Sequence, residues 1–376
     1  MPNPLQQLHQ FGQSPWYDNI SRDVLDSGQL QRLVDLGIRG LTSNPSIFNK
    51  AITSGSAYDA QLRSLIDGSR TPQEIYEALA VEDIRRACDI LRPIHEASDG
   101  VDGFVSLEVS PLLASDTAST IQEARRLRAL VDRPNLLIKI PATPEGIPAI
   151  EESLAEGLSI NVTLIFSRKV YAQVMEAYLR ALERRVEAGQ DIRGVASVAS
   201  FFVSRVDTLV DSLLAARLST APPAEADRLR GLMGRAAIAN ARLAYQDFKR
   251  MFSSDRFRRL EAHGGRVQRP LWASTSTKNP AYRDVLYVDT LIGPHTVNTM
   301  PGETVEAFLD HGTVALTVEQ GLDEAQALLQ ALAALDIHMD SVTQRLLEDG
   351  VAKFAEPFEA LLAAIESKTR QFAAAD

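Results

Sequence analysis

The segment NLLIKIPATPEG (135–146) places one lysine, Lys139, inside an apolar run of Leu136, Leu137, Ile138 and Ile140. In water a lysine has a pKa of about 10.4, so only about one in 2,500 is neutral at pH 7. Desolvation disfavours the ammonium form and can lower that value by about 3–5 units. A neutral amine in a shaped pocket attacks carbonyl carbon, so the run predicts a Schiff-base nucleophile. The competing reading of the same stretch is a lysine that reaches out to solvent, or one buried in an ion pair with Glu108 or Asp18.

An amine that attacks a carbonyl needs a proton shuttle to expel water from the carbinolamine, and a base for a substrate hydroxyl. Two carboxylates on different strands, Asp18 and Glu108, are candidates for these roles. Asp18 ends the first apolar or β-branched run, Asn44 the second and Glu108 the third. Asn161 and Thr163 interrupt the fifth and Ser200 the sixth. Any one of these fits a hydrogen-bonded polar group in a core; together they suggest a common pocket. Arg205, after SFFVS, stands at the start of a helix, where free N–H groups and the dipole favour anions. STSTKN (274–279) adds hydroxyls and Lys278. These two segments suggest a phosphate site; the alternatives are an Arg205–Asp207 ion pair and a helix cap with solvated hydroxyls.

Such residues need a frame. β-rich runs occur near 15–19, 38–43, 103–109, 136–141, 158–166, 195–202, 270–275 and 285–292, with helical patterns between them. Ser27 is placed to cap a helix that Gly37 ends, and Thr120 with Glu123 has capping-box spacing. Ile147, Ile150 and Leu154 share a face before Gly157, and Ser167 opens a long helix. Several strands are apolar on both faces, as in parallel sheets covered by helices. Eight strands alternating with helices predict a (β/α)₈ TIM-type barrel, whose strand C-terminal ends carry the active site. An open doubly wound sheet competes, but no G-x-G-x-x-G follows the first strand. About two extra helices are expected within 45–100, a surface insertion at 253–269, and a helical extension from about 302. The chain, 1–376, reads as a single domain.

Composition bounds the function. The net charge of -10 disfavours nucleic acid as a partner while permitting small phosphorylated metabolites. The single cysteine, Cys88, forms no disulfide within the chain and reads as core packing. The six histidines show no metal-ligand spacing, so no metal is expected. His295 follows the last apolar run; it either faces the pocket or, as the sequence favours, serves the structure. The N-terminal segment lacks the regions of a signal peptide. No apolar stretch reaches the roughly 18 residues of a membrane helix. A cytoplasmic location, no membrane association and a monomer or homodimer are the expectations.

Five blocks carry a resemblance. GIRGLTSNPSIF (37–48), SLEVSP (106–111), LLIKIPATPEGIPA (136–149), INVTLIFS (160–167) and SFFVSR (200–205) resemble, in order, blocks of the transaldolase family. The likeness covers roughly residues 12–300, and the helical extension resembles the longer bacterial members. It implies a (β/α)₈ barrel and cofactor-free transfer of a dihydroxyacetone unit between sugar phosphates in the pentose phosphate pathway. By the same resemblance, Lys139 is the Schiff-base lysine and Asp18 the acid/base at the substrate C4 hydroxyl. Glu108 and Thr163 hold a catalytic water, and Asn44, Ser106, Asn161 and Ser200 position the substrate. Arg205, Ser276 and Lys278 bind phosphate. Asp18 rests on the short match WYDN, and Lys278 stands where many members carry arginine. A related group, free fructose 6-phosphate aldolases, tends to carry Gln and Tyr where this chain has Glu108 and Phe202, which favours transfer. A non-catalytic sugar-phosphate-binding barrel is the rival from another class.

Overall fold

The computed structural model describes residues 2–66 and 70–373. Eight short strands form its frame: β1 (Gln13–Tyr17), β2 (Gly40–Thr42), β3 (Phe104–Glu108), β4 (Leu136–Pro141), β5 (Ile160–Ile165), β6 (Ser197–Phe202), β7 (Arg269–Ala273) and β8 (Thr296–Met300). Each pairs in parallel with its sequence neighbours, and β8 closes on β1. The result is the expected (β/α)₈ barrel. Every strand residue is buried, because helices cover the outside and side chains fill the centre. Gly40 shows how tight the wall is: a Cβ there would lie 2.4 Å from the Trp16 ring.

The floor of the barrel is a polar plug. Trp16 Nε1 donates to Asp102 Oδ1 at 3.0 Å, and Arg269 Nη1 donates to Ser14 Oγ at 2.8 Å. Arg269 also pairs with Asp102 at 3.4 Å. A second buried network ties the extra helices near the other end. Arg22 Nε donates to Asp83 Oδ1 at 2.6 Å, and Tyr58 Oη donates to Asp83 Oδ2 at 2.7 Å. Asp83 is 0% exposed. Asp83→Ala would leave the buried Arg22 charge with only Gln61 at 2.7 Å and the exposed Glu82 at 3.7 Å, so urea unfolding should show a loss of about 3 kcal/mol.

Several local expectations hold. Ser167 caps the helix Arg168–Glu187, and Gly37 ends Gln29–Leu36. Ile150 and Leu154 are buried on the helix Gly146–Ala155. Cys88 is fully buried, and burial pushes its thiol up to about 12. Two helices, Pro45–Thr53 and Asp59–Leu65, precede the long Pro72–Ala97.

Others are corrected. The run 285–292 is not the eighth strand; Leu286–Asp289 is a short helix and β8 lies beyond it. Val285, Tyr287, Val288, Leu291 and Ile292 are all at most 1% exposed, so the run is apolar through burial rather than sheet pairing. Ser27 follows a short helix capped by Ser21, and the next helix starts after Gly28, whose φ is 71°. Asp116, not Thr120, caps Thr117–Val131; Thr120 lies inside the helix and donates to Leu113 O at 2.9 Å. The surface stretch 253–269 is ordered: Asp255–Ala262 is a helix that buries Phe257 and Leu260, and Arg269 already belongs to β7.

The extension comprises Gly302–His311, Leu322–Ala333 and Met339–Ala373. The last helix crosses the C-terminal end of the barrel, touching β5 and the helices Pro45–Thr53 and Pro72–Ala97. A Cβ on its Gly350 would stand 3.0 Å from Leu164 of β5, so glycine permits the close approach. Among the described residues no helix is long and apolar enough to cross a membrane.

Candidate active site

β4 carries Lys139 into the barrel near its C-terminal end, in register with Glu108 on β3 and Asn161 on β5. The side chain is almost wholly enclosed, at 5% exposure. Its Nζ donates to Ser43 O at 3.1 Å and lies 3.3 Å from Glu108 Oε2. It therefore does not reach out to solvent. The ion pair anticipated as the alternative is present, but it stands at a cavity rather than in a sealed core.

That cavity, of about 190 Å³, is lined by Asp18, Asn44, Lys139, Thr163, Ser200, Phe202, Arg205, Ser276 and Lys278 among others. Nine of the twelve residues singled out from sequence thus face one space. The remaining three, Glu108, Ser106 and Asn161, are buried around the lysine.

The carboxylates are tuned by burial. Desolvation pushes Asp18 above the usual aspartate range, against the pull of Lys139 and of Thr42, whose Oγ1 lies 3.5 Å from Asp18 Oδ1. Burial likewise pushes Glu108 up, opposed by Lys139 and Arg205. Thr163 Oγ1 is buried with no hydrogen-bond partner, and Glu108 Oε2 is buried with only Lys139 Nζ beside it, at 3.3 Å. Thr163 lies within an irregularity of β5, where the register to β6 shifts between Val162 and Ile165 and Leu164 takes φ 57°. Such bulges re-aim side chains beside active sites.

A polar rail runs beside the lysine. Ser200 Oγ donates to Asn161 Oδ1 at 2.7 Å, and Asn161 Nδ2 donates to Ser106 Oγ at 3.0 Å. Asn44 is partly committed to the fold, since its Oδ1 accepts from Ile47 N–H at 3.0 Å and caps the helix Pro45–Thr53. Its amide NH₂ and one remaining lone pair of Oδ1 are left for a ligand.

Cations gather elsewhere on the same cavity. Arg205 is the second residue of the helix Ser204–Leu218. Its guanidinium lies over Phe202 at 5.2 Å, and its Nη1 is buried without a hydrogen-bond partner. The alternative pairing with Asp207 does not occur. Asp207 instead accepts from Ala237 N–H at 2.8 Å and Tyr287 Oη at 2.9 Å. Lys278 Nζ donates to Ser276 Oγ at 2.7 Å at the rim. His295 is remote: it precedes β8 and lines a cleft with His9 and Gly12 at the N-terminal end of the barrel.

Sequence reasoning missed Thr42, Thr299, Glu303 and Phe354, which also line the cavity beside Ser274 of the STSTKN run. Thr42 and Thr299 sit at strand ends, the signal that found Thr163. Phe354 comes from the C-terminal helix, far along the chain from any strand.

An anion end and a buried lysine flanked by carboxylates in one barrel mouth match a known pattern. The family model for transaldolase/fructose-6-phosphate aldolase matches residues 15–365. The chain belongs to this family. Within the transaldolase family its relatives include Transaldolase 2 of a Nostoc species, 48% identical over 98% of both chains. Transaldolase of Thermobifida fusca is 51% identical, over 96% of this chain and 97% of its own. Transaldolase of Trichodesmium erythraeum is 46% identical over 98% of both. The transaldolase likeness therefore includes the extension after β8, not only the barrel that holds the five sequence blocks.

Proposed function

We propose that this cavity moves a dihydroxyacetone unit from a ketose phosphate to an aldose phosphate through a Schiff base on Lys139. The chain is a transferase of the transaldolase type, serving the pentose phosphate pathway. The donor is sedoheptulose 7-phosphate or fructose 6-phosphate, and the acceptor glyceraldehyde 3-phosphate or erythrose 4-phosphate. The observation that carries the reading is the lysine Nζ, enclosed at the cavity and 3.3 Å from Glu108.

The residues then have these roles. Lys139 Nζ, as the free amine, attacks the ketose C2, and the carbonyl oxygen takes a proton. That proton comes from the attacking nitrogen through a water held by Glu108 and Thr163; a second, from the Glu108 carboxyl, lets the hydroxyl leave as water, and an iminium ion remains. A water bridging Thr163 Oγ1 and Glu108 Oε2 would give the first a partner and the second one besides Lys139. Asp18 removes the C4 hydroxyl proton. The C3–C4 bond breaks, its electrons flow to the iminium nitrogen, and the aldose phosphate departs. The enamine stays on Lys139 until a second aldehyde arrives and the steps reverse. Because burial raises both carboxyls, each can hold a proton at a higher pH than a solvated carboxyl does. Asn44, Ser106, Asn161 and Ser200 hold the sugar hydroxyls or the enamine, and Phe202 forms an apolar wall.

Arg205, Ser276 and Lys278 bind the phosphate. Charge-assisted hydrogen bonds contribute about 1.5–3 kcal/mol each. Lys278→Met should therefore raise KM for the phosphorylated donor about tenfold or more while kcat changes little, as steady-state kinetics would show.

One barrel domain spans the chain in this proposal, supported by a hydrophobic cluster that runs from Leu5 to Ile365. A cytoplasmic monomer or homodimer is part of the same reading, since charged sugar phosphates are used where they are made. The test is to supply fructose 6-phosphate with and without erythrose 4-phosphate. Sedoheptulose 7-phosphate and glyceraldehyde 3-phosphate should form only with acceptor. Equal release of dihydroxyacetone in both cases would make the chain a free aldolase, and no turnover would leave a binding barrel.

A further inference from the structure

We propose that Phe354, on the helix Met339–Ala373, is a further residue of the substrate pocket. Its ring roofs the Schiff-base site and decides whether the enamine is passed to an aldehyde or lost to water. The inference rests on the Schiff-base reading above and adds to it a specificity residue outside the barrel.

The ring sits over both reactive poles of the cavity. Its centroid is 5.6 Å from Lys139 Nζ and 5.8 Å from Arg205 Cζ. Phe354 is 5% exposed and lines the same space as Asp18, Thr163 and Phe202. An aromatic face at this range favours a cation beneath it, which suits an iminium nitrogen better than a neutral one. The face also offers no hydrogen bond to a water molecule approaching from its side.

The ring is held firmly. One turn on, Phe358 packs edge-on against Tyr76 at 5.5 Å. Leu361 and Ile365 continue the buried stripe at 0% exposure. Lys368 then pairs with Asp59 at 3.0 Å. On the other side, Gly350 lets the helix settle onto Leu164. Since these contacts lie on the added helix Asp59–Leu65, on the long helix Pro72–Ala97 and at the end of β5, the extension acts as a roof built onto the barrel.

The chemistry that the roof suppresses is hydrolysis of the intermediate. The enamine takes a proton at C3 and becomes the iminium. Water adds at C2 and loses a proton, the resulting hydroxyl gives its own proton to the nitrogen, and the C2–N bond breaks with its electrons going to nitrogen as the C=O forms. Dihydroxyacetone leaves, and the Lys139 amine is regenerated without transfer. Excluding bulk water prevents this loss, while the water held by Glu108 and Thr163 remains for the dehydration step.

The experiment compares the full-length protein with Phe354→Ala and Phe354→Leu. Each receives fructose 6-phosphate with erythrose 4-phosphate, and the ratio of free dihydroxyacetone to sedoheptulose 7-phosphate is measured. Borohydride trapping is run in parallel. The ratio should rise about tenfold in Phe354→Ala and about threefold in Phe354→Leu, with the adduct still on Lys139. The leucine variant keeps an apolar side chain and decides the matter if the alanine variant does not fold. A ratio within twofold of wild type in the folded variants, with adduct present, would overturn the role of Phe354 alone. Absence of adduct in the wild type would overturn the Schiff-base reading, and this inference with it.

Discussion

Lys139→Met should abolish transfer, lowering kcat by at least about 10⁴, while the protein still folds. Methionine fills nearly the same volume, so the barrel wall loses little packing. The partner left behind is Glu108, whose carboxyl is already pushed up by burial and can take a proton instead of standing as an unpaired charge. The loss would therefore reflect the missing nucleophile rather than collapse. Lys139→Arg sharpens the test, since it keeps a cation beside Glu108 but offers no nucleophilic amine. Both variants should be equally inactive. Recovery of activity in the arginine variant would mean that charge, not covalent attack, is what the position supplies.

Asp18→Asn should stop the reaction one step later. The base for the C4 hydroxyl is gone, and loss of a general base typically costs about 10²–10⁴ in rate. Attack by Lys139 does not need that base, so the ketose should accumulate as an uncleaved iminium. Borohydride would then fix the whole sugar phosphate on the protein, where wild type would carry only the three-carbon unit. A three-carbon adduct formed at the wild-type rate would remove Asp18 from this role. The pH dependence follows from the same burial. Asp18 must be ionised to act as the base, and its carboxyl is raised above the usual aspartate range. As pH falls, it is protonated sooner than an exposed aspartate would be. The acid limb of kcat/KM should therefore lie above pH ~4, the ordinary range for aspartate.

The lysine and its neighbours were legible in the sequence because a barrel strand is apolar on both faces, so each polar residue in it stands out. Lys139, Glu108, Asn161, Thr163 and Ser200 all showed this way, and all are buried around one point. β8 escaped for the opposite reason. Its residues TVNTM carry little apolar signal, since Asn298 is buried and accepts from Thr275 Oγ1 at 2.8 Å. The neighbouring run 285–292 drew the assignment through burial alone. That error also put His295 after the last strand, whereas it lies before it, at the far end of the barrel.

Phe354 was hidden by a different ambiguity. Together with Phe358, Leu361 and Ile365 it forms a stripe at helical spacing, and three of the four simply pack. Only the tertiary position of the helix separates the pocket residue from its neighbours. Asn44 shows the reverse case: SNPS reads as a substrate-binding turn by resemblance, yet the side chain also caps a helix.

The central claim is a covalent bond between Lys139 and the donor ketone. The most direct measurement is borohydride reduction of the wild-type protein in the presence of fructose 6-phosphate, followed by peptide mass analysis. One reduced dihydroxyacetone adduct should appear on Lys139, in the peptide that contains LLIKIP, and none should appear without sugar. An unmodified Lys139 in protein that turns over its substrates, or an adduct on another lysine, would contradict the account.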